Sequence, residues 1–138
     1  MMFDLKDKKD LSDARMAKAK EFMADARATF RDRRFRTSVN RSYYAALNAV
    51  RAILILEGSN PESHEGAVTL LGLKFIKPGS LPIRIIKGFK VLLSRRTDVD
   101  YGDFDMIDEK ESEDSLIAAE EIIRVIDETR IKLLDEMK

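Results

Sequence analysis

Four polar side chains recur at helical spacing within the stretch RSYYAALNAVRAIL, which covers residues 41–54. We call this set the polar stripe: Arg41, Tyr44, Asn48 and Arg51. On a helical wheel the stripe occupies an arc of about 80°. Arginine offers a fixed fork of donors and an aromatic ring stacks on a base, so the stripe suits recognition of phosphate or a nucleobase. The alternative is structural: the stripe packs on an acidic helix or forms the seam of a dimer.

A second polar pair lies further along the chain, where Arg96 and Asp100 are four residues apart. If the helix that begins near residue 81 continues past Ser94, both side chains lie on its apolar face. They then need partners, because an unpaired buried charge is very costly. Arginine before aspartate is the weaker order for an isolated helical pair, so we expect Tyr101 or the polar stripe to complete the network. A structural ion-pair network and a catalytic one both remain open.

His64 is the single histidine of the chain and lies within the sequence SHEG. A lone histidine acts as a general acid or base, or it caps a helix start through local hydrogen bonds. It cannot by itself build a histidine-rich metal site, and the chain has no HExxH pair, P-loop, GxGxxG or GxSxG motif. We therefore predict neither a metal site nor a cofactor.

The apolar spacing and the capping signals predict five helices and no strand. The first predicted helix covers residues 12–30 with Ser12 as its N-cap, and the second covers residues 37–57 and ends at Gly58. The third begins at Asn60-Pro61 and ends just before Lys77-Pro78. The fourth runs from residue 81, with Ser80 as its cap, to at least Arg96, and the fifth runs from Asp108 to near Lys138. We predict a loop at residues 98–108. Short connections favour antiparallel neighbours, so the expected fold is all-α, an up-and-down antiparallel bundle in one domain over residues 1–138.

The helical wheel also separates the two neighbouring tyrosines of residues 41–54. Tyr43 falls on the apolar face that builds the bundle, whereas Tyr44 belongs to the polar stripe. The predicted core face of this helix consists of Val39, Tyr43, Ala46, Leu47, Val50, Ile53 and Leu54. For the fourth helix the predicted buried face consists of Ile85, Ile86, Phe89, Leu92 and Leu93.

The net charge of the chain is zero, but basic and acidic residues separate along it. Residues 1–97 carry 20 basic and 10 acidic side chains, whereas residues 98–138 carry 5 and 15. Either a basic surface binds nucleic acid or nucleotide, or the acidic tail packs against basic segments of the same molecule or of a twin. The chain has no cysteine, no apolar run near the ~20 residues that cross a membrane, and an N-terminus too charged for a secretory signal. We expect a cytoplasmic protein without membrane association.

Three blocks of this sequence resemble the HEPN domains of small stand-alone prokaryotic proteins. They are NRSYYAALNAVRAIL, SHEGAVTLLGLKFIKPG and LLSRRTDVDYGDF, in that order, and the resemblance covers roughly residues 10–135. It implies an antiparallel helical bundle, a homodimer, and a role in binding nucleotide or RNA. It also implies a minimal nucleotidyltransferase as partner, in a toxin–antitoxin or defence module.

The resemblance further implies a catalytic motif from which this chain departs. Many HEPN proteins are metal-independent endoribonucleases, with an arginine followed after four to six residues by a histidine near the end of a late helix. Here Arg95 and Arg96 are suitably placed, but no histidine occurs in residues 97–103. Asp100 is a poor substitute, because a carboxylate is ordinarily ionised near pH 7 and repels phosphate.

Three functions therefore follow from the sequence. The first is a non-catalytic module that binds nucleotide, RNA or a partner protein through Arg41, Tyr44, Asn48, Arg51, Arg95 and Arg96. The second is a metal-independent endoribonuclease toxin with a divergent active site, whose candidate catalytic residues are Arg96, Asp100, Tyr101 and His64. The third is an interaction protein in which the polar stripe is the seam between subunits.

Overall fold

The computed structural model describes residues 4–102 and 107–137, and within them the chain is helical with no strand. The helices are α1 (Leu5–Arg31), α2 (Phe35–Leu54), α3 (His64–Leu71), α4 (Ile83–Tyr101) and α5 (Glu109–Glu136). A 3-10 turn (Ile55–Glu57) extends α2, and a π-helical turn (Gly72–Ile76) extends α3. The prediction of an all-α fold with five helices is confirmed.

Contacts between the helices show that the four long ones alternate in direction. Near the start of α2, Ser38 Oγ donates to Ala26 O near the end of α1, whereas Ser12 of α1 donates to Ala52 O at the end of α2. Hydrogen bonds between α4 and α2, between α4 and α5, and between α5 and α1 also join earlier residues of one helix to later residues of the other, so each of these pairs is antiparallel. The result is an up-and-down antiparallel bundle, with the short α3 between α2 and α4.

Helix α2 lies at the centre of the bundle and is buried around most of its circumference. Its core side chains are inaccessible to solvent or nearly so, including the whole predicted core face. Tyr43 stacks on Phe89 of α4 with ring centroids 5.8 Å apart. Each large apolar side chain buried in this way contributes roughly 1.5–3 kcal/mol to folding. The half-buried residues of α2 are Phe35, Thr37, Asn40 and the four residues of the polar stripe.

Three predicted helix starts are wrong, because the side chains assigned as caps have other positions. α1 begins seven residues earlier, with Asp4 accepting from the Asp7 amide at 2.7 Å, and Ser12 is buried between helices. α3 is capped by Ser63 rather than by Asn60. α4 begins after Pro82, and no side chain caps it, so Ser80 has no capping role.

The end of α4 also differs from the predicted loop at residues 98–108. The helix continues through Tyr101, and its last turn is stabilised by the ion pair between Arg96 and Asp100. The Gly102 amide then donates to Asp98 O at 2.9 Å. Residues 103–106 of the predicted loop lie outside the described residues. The predicted cap of α5 is confirmed, because Asp108 accepts from the Glu111 amide at 2.9 Å.

The acidic residues of α5 pair with basic residues of the same molecule. Glu120, Glu121 and Asp127 form ion pairs with side chains of α1 and α4, namely Arg27, Arg84 and Lys20. This arrangement supports intramolecular neutralisation for part of the charge separation along the chain. Among the described helices, none combines the length and the apolar character that spanning a bilayer requires.

Arg130 anchors the contact between α5 and α1. Its guanidinium, nearly enclosed, donates to Asp13 at 2.6 Å, to Asp127 at 2.9 Å and to the buried Ser12 hydroxyl at 3.3 Å. A buried charge satisfied from both helices fixes their register, because a shift of either helix would leave it unpaired.

We expect Arg130→Met to lower the free energy of unfolding by about 2–3 kcal/mol, because it removes the hydrogen bonds of a nearly enclosed guanidinium to Ser12, Asp13 and Asp127. The cost stays below that of a fully enclosed pair, since the Asp13 side chain is 42% exposed. Urea denaturation followed by circular dichroism measures it. Arg124→Met on the same helix is the control, because its pair with Glu128 is exposed and contributes under ~1 kcal/mol. Equal stability of the two variants would contradict the anchoring role.

Candidate functional site

Tyr44 is the point at which the candidate residues of α2, α3 and α4 meet. We define the Tyr44 cluster as Tyr43, Tyr44, His64, Arg96, Asp100 and Tyr101. The ring centroid of Tyr44 lies 5.2 Å from that of Tyr43 and 6.4 Å from that of His64. The guanidinium carbon of Arg96 lies 5.5 Å from the same ring. The structure therefore brings His64 and Arg96 together across the tyrosine pair, although they are 32 positions apart.

Arg96 is held by contacts from three sides, and its side chain is only 13% exposed. Its Nη2 donates to the Tyr44 hydroxyl at 2.9 Å, and its Nε lies 2.8 Å from Asp100 Oδ2. The Nε–H bond is not directed at that oxygen, so the second contact is an ion pair rather than an aligned hydrogen bond. The guanidinium also lies 5.7 Å from the ring centroid of Tyr101, which is 73% exposed. These contacts complete the network expected around the Arg96–Asp100 pair.

His64 lies at the start of α3 and forms a 2.5 Å hydrogen bond through Nδ1 with the Tyr43 hydroxyl. Ser63 caps the helix by accepting from the Gly66 amide at 2.9 Å. A Cβ atom at Gly66 would lie 2.8 Å from Ser63 Oγ, so a larger residue there would disturb the cap. The Ser-His-x-Gly sequence thus places the imidazole against Tyr43.

The electrostatic surroundings of His64 favour its neutral form. Burial lowers the pKa of His64 below its usual 6.5, and the positive charges of Arg96 and then Arg51 lower it further. Glu65 acts in the opposite direction. Burial also raises the pKa of Tyr43, so its phenol stays protonated at neutral pH. Near pH 7 the pair therefore consists of a neutral imidazole hydrogen-bonded to a neutral phenol.

Arg41 lies on one side of Tyr44, beyond the ring of Phe22 from α1. Its guanidinium carbon is 5.5 Å from the Phe22 centroid, and that ring is 6.0 Å from Tyr44. We call the shallow space next to it the α4-side cleft, which has a volume of about 430 Å³. It is lined by Arg36, Thr37, Asn40, Arg41, Val99 and Asp100. Asn40 Nδ2 donates to Asp100 Oδ1 at 3.3 Å and closes one wall.

Arg51 and Asn48 lie on the other side of Tyr44, in a larger space between α1, the end of α2 and the segment before α3. We call it the α1-side cleft, and its volume is about 710 Å³. Asn48 Nδ2 donates to Tyr44 O at 2.8 Å within α2. Arg51 forms no hydrogen bond or ion pair with any described residue, and its Nε is buried. The polar stripe therefore spans two clefts with the Tyr44 cluster between them.

Arg95 is the predicted ligand residue that the structure does not bring to this region. Its Nη1 donates to Ser115 Oγ at 3.0 Å and lies 3.5 Å from Glu111 O, both on α5. Successive residues of a helix point about 100° apart, so Arg96 faces α2 while Arg95 faces α5. Among the described residues no hydrogen bond, ion pair or ring contact joins the polar stripe to α5, so the stripe does not pair with the acidic helix.

Sequence reasoning missed site residues that come from other helices or from the core. Tyr43 was assigned to the core, and it is buried, but its hydroxyl holds His64. A buried tyrosine usually finds a partner for its hydroxyl, which is the signal that identifies it. Phe22 and Arg15 of α1 carry no such signal, because a helical wheel does not tell which helix will face the stripe. In the described ranges no three His, Asp or Glu side chains group as metal ligands do.

Comparisons with known proteins bear on this arrangement. The family model for the HEPN domain matches residues 12–129. The chain is 27% identical over 121 residues to a UPF0332 protein of Thermotoga maritima, and the aligned region covers 88% of this chain and 89% of that protein. It is 36% identical over 70 residues to a UPF0332 protein of Gloeobacter violaceus, covering 51% and 56%. It is 33% identical over 61 residues to a Methanocaldococcus jannaschii protein named "Putative toxin MJ0605", covering 44% and 46%.

His64 is the only histidine, so one imidazole resonance in a ¹H NMR titration reports its protonation. We expect a midpoint below 6.5 in the native protein, and a rise toward 6.5 in Arg96→Met because a neighbouring positive charge is removed. As pH falls below about 6.5 the unfolded chain takes up this proton first, so folding stability decreases there. Arg124→Met should leave the midpoint unchanged. A native midpoint at or above 6.5 would contradict the described surroundings.

Proposed function

Because this chain belongs to the HEPN family, we propose that it is a non-catalytic module that binds a nucleotide or single-stranded RNA through the Tyr44 cluster and the polar stripe. One observation carries the proposal: Arg41 and Arg51, on either side of Tyr44, form no ion pair or hydrogen bond with any described residue. Guanidiniums without a hydrogen bond or ion pair in the described part of the chain keep their donor forks for phosphate oxygens.

Aromatic rings beside these arginines supply the second element of such a site. Tyr101 is 73% exposed and has the Arg96 guanidinium behind it, so the outer face of its ring is accessible to a base. Base–aromatic stacking contributes about 1–3 kcal/mol per base and tolerates different sequences. The combination of a cationic groove with an exposed ring is the arrangement that binds single strands. It favours RNA segments without base pairing over duplexes.

The contacts of Arg96 explain why binding is favoured over catalysis. Its charge is already shared between Asp100 and the Tyr44 hydroxyl, so it would have to leave these partners to stabilise a reacting phosphate. Asp100 in turn is engaged by Arg96 and Asn40. Both groups therefore support a positioning role, in which they hold Tyr44 and Tyr101 at the edge of the site.

A second candidate function is a metal-independent endoribonuclease, and the position of His64 favours it. The imidazole lies next to Arg96 across the tyrosine pair, and its lowered pKa keeps a neutral base present near pH 7. In this scheme His64 replaces the histidine missing from residues 97–103, with Arg96 as the phosphate-binding group. The Methanocaldococcus relative that carries "toxin" in its name is consistent with this chemistry.

The partners of the site belong to the same proposal. We propose a homodimer in which the α4-side clefts of two copies face a common ligand, and a minimal nucleotidyltransferase as the protein that regulates it. The mass in solution, measured by light scattering, tests the first statement. Pull-down with the product of a neighbouring nucleotidyltransferase gene tests the second.

Binding is tested by fluorescence anisotropy with a short labelled single-stranded RNA at several salt concentrations. We expect log affinity to fall linearly with log salt, because phosphate contacts release counterions. Arg41→Met and Tyr101→Ala should each weaken binding about 5-fold or more. Arg124→Met, which removes one positive charge from α5, is the matched control. Affinity equal to the native value in both site variants would exclude this surface as the binding site.

The catalytic alternative predicts a different result with the same RNA. If the protein only binds, the RNA stays intact during prolonged incubation with excess protein and EDTA. If it is a ribonuclease, fragments appear under these conditions, and both His64→Gln and Arg96→Met abolish them. Cleavage that survives both substitutions would point to a contaminating nuclease instead.

A further inference from the structure

The α1-side cleft contains more positive charge than the molecule itself neutralises. Three of its lining side chains are cationic, Arg15, Lys18 and Arg51, and two are amides, Asn48 and Asn60. Two carboxylates, Glu21 and Glu62, also line it, but both residues are exposed and neither forms an ion pair with a described residue. The cleft thus differs from the surface between α1 and α5, where cations and carboxylates are paired.

Each of the two arginines has one donor nitrogen without a hydrogen-bond partner among the described residues. Arg15 Nη1 and Arg51 Nε are both buried, and neither donates a hydrogen bond to another described residue. Buried polar atoms are normally hydrogen-bonded, and buried charges are normally paired. Elsewhere in the described chain the buried guanidinium of Arg130 meets this rule with three oxygen partners. Arg96 Nε also lacks an aligned hydrogen bond, but it lies 2.8 Å from the carboxylate of Asp100, whereas neither Arg15 nor Arg51 forms an ion pair with a described residue.

The two guanidiniums also act on each other as like charges. Burial lowers the pKa of Arg15, and the positive charge of Arg51 lowers it further. Arg15 is nevertheless fixed in place, because its Nη2 donates to Asn60 Oδ1 at 2.9 Å. The segment before α3 thus holds one guanidinium beside the other at an electrostatic cost. An anion between them would remove both the repulsion and the unpartnered donors.

We propose that the α1-side cleft is a subsite for the terminal phosphate monoester of the bound nucleotide or RNA. A monoester carries close to two negative charges at neutral pH, which matches two guanidiniums and the Lys18 ammonium better than the single charge of a diester. The subsite rests on the proposed function, because the base and the remaining backbone occupy the Tyr44 cluster. Arg51 lies two helical turns, or about 10 Å, beyond Tyr44, so a short ligand reaches both.

The test compares three RNAs of one sequence. One carries a 5′-terminal phosphate, one carries a 3′-terminal phosphate, and one has hydroxyl groups at both ends. We expect the native protein to bind one phosphorylated form at least about 10-fold more tightly than the hydroxyl form. Arg15→Gln and Arg51→Met should each reduce this ratio to about one. Arg124→Met should keep it, because its charge lies outside the cleft.

Each outcome of this experiment has one meaning. Equal affinity of the native protein for both ends would overturn the phosphate subsite, while binding of either RNA would leave the proposed function standing. Absence of any binding would remove the proposed function as well.

A thermal scan separates binding from a structural role. Inorganic phosphate should raise the Tm of the native protein above that in chloride of equal ionic strength, and this rise should vanish in Arg51→Met. The Tm of Arg51→Met without phosphate should equal or exceed that of the native protein, since repulsion with Arg15 is removed. A lower Tm with the phosphate response intact would assign Arg51 a structural role and overturn the proposal.

Discussion

The guanidinium of Arg96 must be compensated within the protein, because most of its surface is withdrawn from water. The interactions that meet this requirement determine much of the site. Tyr44 supplies a hydrogen bond from α2, Asp100 supplies charge from the last turn of α4, and three tyrosine rings surround the cation. α4 therefore continues to Tyr101, and its register against α2 is fixed. Burial lowers the pKa of the neighbouring His64 imidazole, and the charge of Arg96 lowers it further. A cation held in this way organises its neighbours before any ligand arrives.

The family and the fold were predictable because they depend on patterns within single segments. Helical spacing identified the core face of α2, separated Tyr43 from Tyr44, and anticipated partners for the Arg96–Asp100 pair. The end of α4 was wrong, because polar residues 98–101 resemble a loop until the tertiary partners of Arg96 are known. Ser12 was wrong for a related reason: a hydroxyl suits a helix cap and a buried interhelical hydrogen bond equally well.

The sequence predicted which residues of α2 share a face, but not which residues of other helices lie beside them. Residues of one helix were grouped correctly, since their angular positions follow from the helix itself. The neighbours that give the group its meaning come from another helix, namely Phe22 and Arg15 from α1. Arg95 shows the reverse error, because adjacency in sequence placed it with Arg96 although the two face different helices. A helical wheel gives the angular positions of residues on one helix. It does not show which surface packs against the polar stripe, because that depends on tertiary packing.

The pairing of α5 with α1 and α4 has a consequence for how a charged ligand would approach. The chain is neutral overall, and the acidic helix lies within the same small bundle as the basic ones, so their fields largely cancel outside about one Debye length, roughly 8 Å in physiological salt. A polyanion at a distance is then neither attracted nor repelled, and encounters proceed at the rate of ordinary diffusion. Arg41 and Arg51, which form no ion pair with a described residue, then act only on molecules that already touch the clefts. If the protein binds RNA as proposed, its affinity depends on contacts within the clefts rather than on attraction at a distance.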